Sequence, residues 1–124
     1  MQATKMIHPI TRAGLIALLL ILAMPLLAHE GESSSTPADG ATVPGSPAKI
    51  GIEFDGAMRI TQFDVTGSGG SVRLARPPGN EPTNRYIVEP EEALPTGDYQ
   101  VRWRGLAGDG HMMSGGFAFS VEDE

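Results

Sequence analysis

Cysteine is absent from the 124-residue chain. That excludes disulfides and every thiolate metal site, so a domain built from this sequence holds together by packing alone. Any metal it takes must be bound through nitrogen, oxygen or thioether sulfur. Basic charge is also scarce. Beyond residue 28, seven basic residues (Lys49, Arg59, Arg73, Arg76, Arg85, Arg102 and Arg104) stand against fifteen acidic ones, a formal net charge of −8. A surface of that sign disfavours nucleic acid and anionic lipid headgroups, both of which select basic patches. There is a single tryptophan, and beyond residue 28 no amphipathic helical stretch of useful length.

The one long apolar run lies at the start of the chain. Lys5 and Arg12 are the only charged residues before position 29, and residues 13–28 are uncharged and mostly apolar. The run falls short of the roughly 20 residues that a membrane-spanning helix needs. Pro25 and the small Ala28 near its end fit a cleaved secretory signal, although Leu26 is bulkier than the usual residue at its place. No Arg-Arg pair points to the twin-arginine route. The expectation is a signal peptide over residues 1–28 and one domain over 29–124, with no membrane span in the mature form. Cleavage after Ala28 makes His29 the first residue, its free α-amine beside its imidazole, and the amine and ring Nδ1 can chelate one metal ion together. Three of the six methionines leave with the signal, so Met58, Met112 and Met113 remain, along with His29 and His111.

The rest of the chain reads as short strands separated by turns. Pro37-Ala38-Asp39-Gly40 and residues 44–47 are breaks. Ile50, Ile52 and Phe54 alternate as in a strand. Met58 and Ile60 share one parity and Phe63 and Val65 the other, which predicts a β-bulge or corner near Thr61-Gln62. Residues 67–70 form a turn and Val72 with Leu74 a short strand. The proline-bearing residues 76–82 form a loop, and Tyr86 with Val88 another short strand. Leu94, Gly97 and Tyr99 at the start of a late strand resemble the tyrosine corner of immunoglobulin-like sandwiches. The expected fold is all-β, an antiparallel immunoglobulin-like Greek-key sandwich or barrel.

Between the alternating runs Tyr99, Val101, Trp103 and Phe117, Phe119, Val121 lies a stretch, residues 105–116, with five glycines in twelve positions. At its centre Asp109-Gly110-His111 holds a carboxylate and an imidazole two residues apart at the end of a sheet. That pair suits a metal site if a further ligand arrives from elsewhere, and His29 is the candidate. Asp109-Gly110 by itself is also a common hairpin turn, and His111 by itself is an ordinary surface residue.

At this level the chain resembles the CopC/PcoC family of periplasmic copper-binding proteins (copper resistance protein C). The resemblance rests on His29 at the start of the mature chain, the segment Ser34-Ser35-Thr36-Pro37-Ala38-Asp39-Gly40, and the strand Pro47-Ala48-Lys49-Ile50-Gly51-Ile52-Glu53-Phe54. It also rests on Leu94, Gly97, Tyr99, Val101, Trp103-Arg104, Asp109-Gly110-His111, Gly115, Phe119 and Val121 in the family's order. Departures are the polar Glu30-Gly31-Glu32-Ser33, Ala107 in place of a serine, and Met112 where proline is common. The resemblance implies a periplasmic Cu(II)-binding protein for copper sequestration, resistance or trafficking, and not an enzyme. It implies one Cu(II) ion held by the amine and imidazole of His29, by Asp109 and by His111. No methionine-rich Cu(I) site is expected, since Met58 stands alone between Phe54 and Arg85. An inner-membrane copper permease of the CopD type is the implied partner, and the protein is expected to be a monomer.

Three nitrogens and a carboxylate oxygen suit tetragonal Cu(II), which heads the stability order for such donors. Of Met112 and Met113, one is expected to point into the core. Glu30, Glu32 and the acidic run 122–124 read as solvated, and an amino-terminal Cu/Ni motif fails because Gly31 stands where it needs histidine. Two other functions compete. A copper monooxygenase with an N-terminal histidine brace needs a second histidine, an open coordination position and a flat polymer-binding face; Asp109 and the single tryptophan argue against it. A metal-free immunoglobulin-like interaction domain predicts no copper binding at all.

Overall fold

A computed structural model describes residues 32–124, with side chains from Ser34 onward. The expected signal peptide and His29 lie outside the described residues. The described residues form seven strands: β1 (Glu32–Thr36), β2 (Ala41–Pro44), β3 (Ile50–Gly67), β4 (Gly70–Ser71), β5 (Thr83–Val88), β6 (Gly97–Ala107) and β7 (Met112–Glu122). No helix among the described residues is long and apolar enough to cross a membrane.

Hydrogen-bonded neighbours run in the order β1-β3-β6-β7-β2, with β4 and β5 also on β3. The two ends of that path, β1 and β2, are joined by only the four residues 37–40. A link that short spans at most about 14 Å, so the sheet must curl until its outer strands meet, giving the all-β sandwich. Within the connection Ala41 N–H donates to the Ala38 carbonyl at 2.9 Å, and Gly40 takes φ +82°. β2 then runs parallel to β7, while the other pairings are antiparallel.

β3 organises the rest. At Gly51, Ile52 and Glu53 it pairs with both β1 and β5, so these two strands occupy opposite edges. Farther along, Met58 pairs with Thr83 of β5 and Ala107 of β6. The edge opposite β5 is therefore shared by β1, along Gly51–Phe54, and β6, along Met58–Thr66. Both strands run antiparallel to β3, so the C-terminal end of β6 faces the N-terminal end of β1 across the corner at residues 55–57. The parity switch in the sequence is where the register shifts: Ile60 pairs with Gly105 and Gln62 with Arg104, leaving Thr61 as the bulged residue. The bulge turns Phe63 and Val65 inward, as Met58 and Ile60 are before it.

Among the described residues, sixteen apolar or aromatic side chains form the core, and no buried one is charged. Phe54 meets Trp103 edge-on at 4.9 Å between ring centroids, and Phe63 meets Tyr86 at 4.8 Å. Tyr99 stacks on Phe119 and donates its hydroxyl to the Pro95 carbonyl at 2.5 Å, the tyrosine corner that the spacing of Leu94, Gly97 and Tyr99 suggested. Burial holds the Tyr99 phenol above its ordinary pKa, so it stays protonated and donating.

Two further expectations change. Val72 and Leu74 do not form a strand; a single bond from Val72 N–H to the Val65 carbonyl and an isolated bridge from Leu74 to Pro90 carry the chain past β4. The glycine-rich loop is also shorter than its composition suggested. β6 and β7 extend into it and leave only residues 108–111 outside the ladder. Gly115 lies so close to the Trp103 ring that a Cβ there would sit 2.9 Å from it, so this glycine serves close packing within a strand.

Candidate metal centre

The hairpin between β6 and β7 is built around one turn. Leu106 pairs with Met112, Gly110 N–H donates to the Ala107 carbonyl at 2.9 Å, and Ala107 N–H donates to the His111 carbonyl at 2.9 Å. Gly110 adopts φ +89°. This is the three-residue hairpin in which a β-turn is followed by a left-handed residue, and glycine is the residue that enters that conformation without cost. The turn brings the side chains of Asp109 and His111 together at the tip of the two longest paired strands after β3.

Asp109 holds His111 through both carboxylate oxygens. Oδ1 accepts the His111 backbone N–H at 3.0 Å, and Oδ2 lies 2.7 Å from ring Nδ1. Both side chains are solvent-accessible, 64% for Asp109 and 81% for His111. The backbone and side-chain hydrogen bonds from His111 pull the Asp109 carboxyl below its ordinary pKa, outweighing a small desolvation in the other direction. The carboxylate is thus ionised throughout the neutral range. The separation between carboxylate and ring is that of a hydrogen bond, which holds the two side chains side by side at the hairpin tip.

Of the three predicted ligating residues, the structure brings Asp109 and His111 together, and His29 lies outside the described residues. Among the described residues no group of three or more His, Asp or Glu side chains gathers, so this pair is completed from elsewhere if it holds a metal. The methionines separate as the adjacent pair suggested. Met113 packs partly against the core and Met112, next to His111, is 61% exposed, while Met58 is buried. What the sequence did not reveal is the placement of β1. Its polar residues carry no strand periodicity, yet pairing with β3 fixes where the chain enters the fold.

The CopC domain family model matches residues 33–122. Copper resistance protein C of Escherichia coli is 31% identical over 117 residues, covering 85% of this chain and 90% of that protein. Copper resistance protein C of Pseudomonas syringae pv. tomato is 32% identical over 106 residues, covering 77% and 82%. Among solved structures, the crystal structure of PcoC, a methionine-rich copper resistance protein from Escherichia coli, superposes with a TM-score of 0.61 at 28% identity, covering 74% of this chain and 97% of that one. The crystal structure of CopC from Methylosinus trichosporium OB3b gives 0.62 at 23% identity, covering 76% and 94%, a likeness of fold.

Proposed function

The chain belongs to the CopC family of copper-binding resistance proteins, which are not enzymes, and from that premise we propose that it is a periplasmic protein carrying one Cu(II) ion for sequestration or transfer. In this reading the signal peptide is removed after Ala28, and the ion is held by the α-amine and imidazole of His29 together with Asp109 and His111.

The observation that carries the proposal is the paired, ionised Asp109 and the adjacent His111 at the tip of the β6–β7 hairpin. Topology adds to it. Glu32 pairs with Phe54 and Ala107 with Met58, four residues along the same edge of β3, so the start of β1 and the end of β6 are at most roughly 13 Å apart. Residues 29–32 can span about 10 Å, and the hairpin tip extends from the other side, so the distance suits a His29 that reaches it. An amine, two imidazoles and a carboxylate favour Cu(II) over Cu(I), because the cuprous ion prefers softer or fewer donors. With four donors supplied by the chain, the ion is stored or handed on, without an open position for chemistry. The protein acts as a monomer in this reading, and an inner-membrane permease of the CopD type is the proposed recipient or source.

Isothermal titration of Cu(II) into the mature protein, beside a form with one extra residue ahead of His29, tests the proposal. One high-affinity site that is lost or sharply weakened by the extension is the expected result. Equal affinity in both forms overturns the role of His29, and no binding in either overturns the site.

A further inference from the structure

The outer face of β6 and β7 leads away from the hairpin tip as an open groove of about 630 Å³, lined in part by Gln100, Arg102, Arg104, Ser114, Gly116 and Ala118. Its shape follows from the register. Arg104 lies opposite Ser114 and Arg102 opposite Gly116, so each guanidinium faces one of the smallest residues and has room to lean across β7. Arg102 and Arg104 make no ion pair among the described residues. Asp64, the cross-strand neighbour of Arg102, instead accepts a hydrogen bond from the Gln62 amide. In a chain with fifteen acidic residues against nine basic ones, two such cations side by side are an exception to the general surface charge.

The groove is bordered by an unpaired strand edge. β2 covers β7 only from Phe119 to Glu122. Just before that, Ala118 turns both backbone groups outward, its N–H to the Asp39 carboxylate at 3.0 Å and its carbonyl to Gly40 N–H at 2.7 Å. Alternation along an antiparallel strand then points the N–H and carbonyl of Ser114 and Gly116 out of the same edge, where no strand of the described residues pairs with them. An open edge accepts an extended segment through main-chain bonds, and side-chain recognition sets which segment.

We propose that this edge of β7, backed by Arg102 and Arg104, docks an extended acidic segment of a partner protein by strand addition. A second copy of this chain is disfavoured as the occupant, because two β7 edges side by side would bring four arginines together with no acid from Met112 to Phe117 to offset them. The chain's own acidic end is disfavoured too, since Glu124 lies against Gly45, beyond the far end of β7. The strip ends at the exposed Met112 and then His111, so a docked segment would have one end at the metal centre. That the segment belongs to a copper donor or acceptor rests on the copper reading above; that an acidic segment docks does not.

The test uses the mature ¹⁵N-labelled apo-protein and a capped eight-residue peptide alternating Glu with Val and Thr, with a Lys-for-Glu peptide as control. The expected result is saturable binding of the acidic peptide alone, with amide shifts centred on Ser114 and Gly116 and a change in Trp103 fluorescence. R102Q/R104Q, exchanges on exposed side chains, should weaken binding at least tenfold, and S114P, which removes an outward N–H and no ladder bond, should do the same. No binding, equal binding of the Lys peptide, or an unchanged affinity in R102Q/R104Q overturns the proposal, even should S114P fail to fold. Cu(II) titration of the wild type and of R102Q/R104Q separates the two readings: copper bound normally by both leaves the metal centre standing whether or not the peptide binds, and acidic peptide bound by the wild type without copper binding leaves the dock standing.

Discussion

Asp109 binds His111 twice, once at the backbone N–H and once at ring Nδ1. The first bond fixes the turn and the second fixes the ring, so one carboxylate both shapes the hairpin and orients its own neighbouring donor. The two side chains are therefore held side by side by the turn itself.

Removing the ring should therefore separate binding from stability. His111→Ala is expected to weaken Cu(II) binding by at least about a hundredfold in a competition titration. The thermal midpoint should barely move, since an exposed side chain outside the core contributes within about 0.5 kcal/mol. A large fall in melting temperature would mark His111 as structural instead.

Asp109→Asn keeps an oxygen that can accept the His111 N–H, so the turn should survive, with amide shifts confined to residues 107–112. The negative charge is lost, and with it a hard anionic donor. Cu(II) affinity is expected to drop, and the preference for Cu(II) over Cu(I) to narrow, which a potential measured by protein-film voltammetry would register as a rise.

The lowered pKa of Asp109 also orders the events on acidification. A carboxyl held below its ordinary value of about 3.9 stays ionised to lower pH, so protons compete first for the nitrogen donors of the proposed site. Copper release on lowering the pH should therefore follow a midpoint set by histidine and the terminal amine, with the carboxylate still charged when most of the metal has left. For the metal-free protein, a depressed folded-state pKa contributes stability that is present above the unfolded value and is lost as pH falls through the folded one. Carbon-detected NMR titration should place the Asp109 midpoint below that of an unstructured aspartate.

The parts of the fold that were legible in the sequence are those in which side-chain periodicity carries the information. The switch from Met58 and Ile60 to Phe63 and Val65 located the bulge at Thr61, and Leu94, Gly97 and Tyr99 located the corner beneath β6. β1 and β2 escaped notice because neither Glu32–Thr36 nor Ala41–Pro44 alternates strongly; main-chain ladders to β3 and β7 hold them, and backbone hydrogen bonds leave no compositional signature. Glycine misled in the opposite direction. Gly105 and Gly115 read as loop, but they accommodate Met58 and the Trp103 ring within strands. Asp109 and His111 were legible as a pair because the turn that joins them is local. The groove at Arg102 and Arg104 was not, because it depends on which β7 residues lie opposite them.

The tyrosine corner supplies a last test, one that concerns stability alone. Tyr99→Phe removes the bond to the Pro95 carbonyl while keeping the ring on Phe119. The loss should amount to about 0.5–1.5 kcal/mol, the net worth of one such hydrogen bond, because Pro95 is exposed and its carbonyl can turn to water instead. In a domain of this size each kcal/mol corresponds to roughly 4–8 °C in melting temperature. Burial raises the phenol's pKa in the folded state, so its contribution is fully present below the unfolded value of about 10 and is lost as pH rises through the folded one. The wild-type protein should accordingly lose stability at alkaline pH more steeply than Tyr99→Phe. Tyr86, whose hydroxyl donates to the Arg76 carbonyl at 2.7 Å and whose pKa burial also raises, leaves a residual slope in the variant. Copper affinity at neutral pH should be the same in both proteins, since the corner lies at the opposite end of β6 from the hairpin tip. Melting curves from pH 7 to 11 that ran parallel for the two would remove the corner from any account of what holds this cysteine-free fold together.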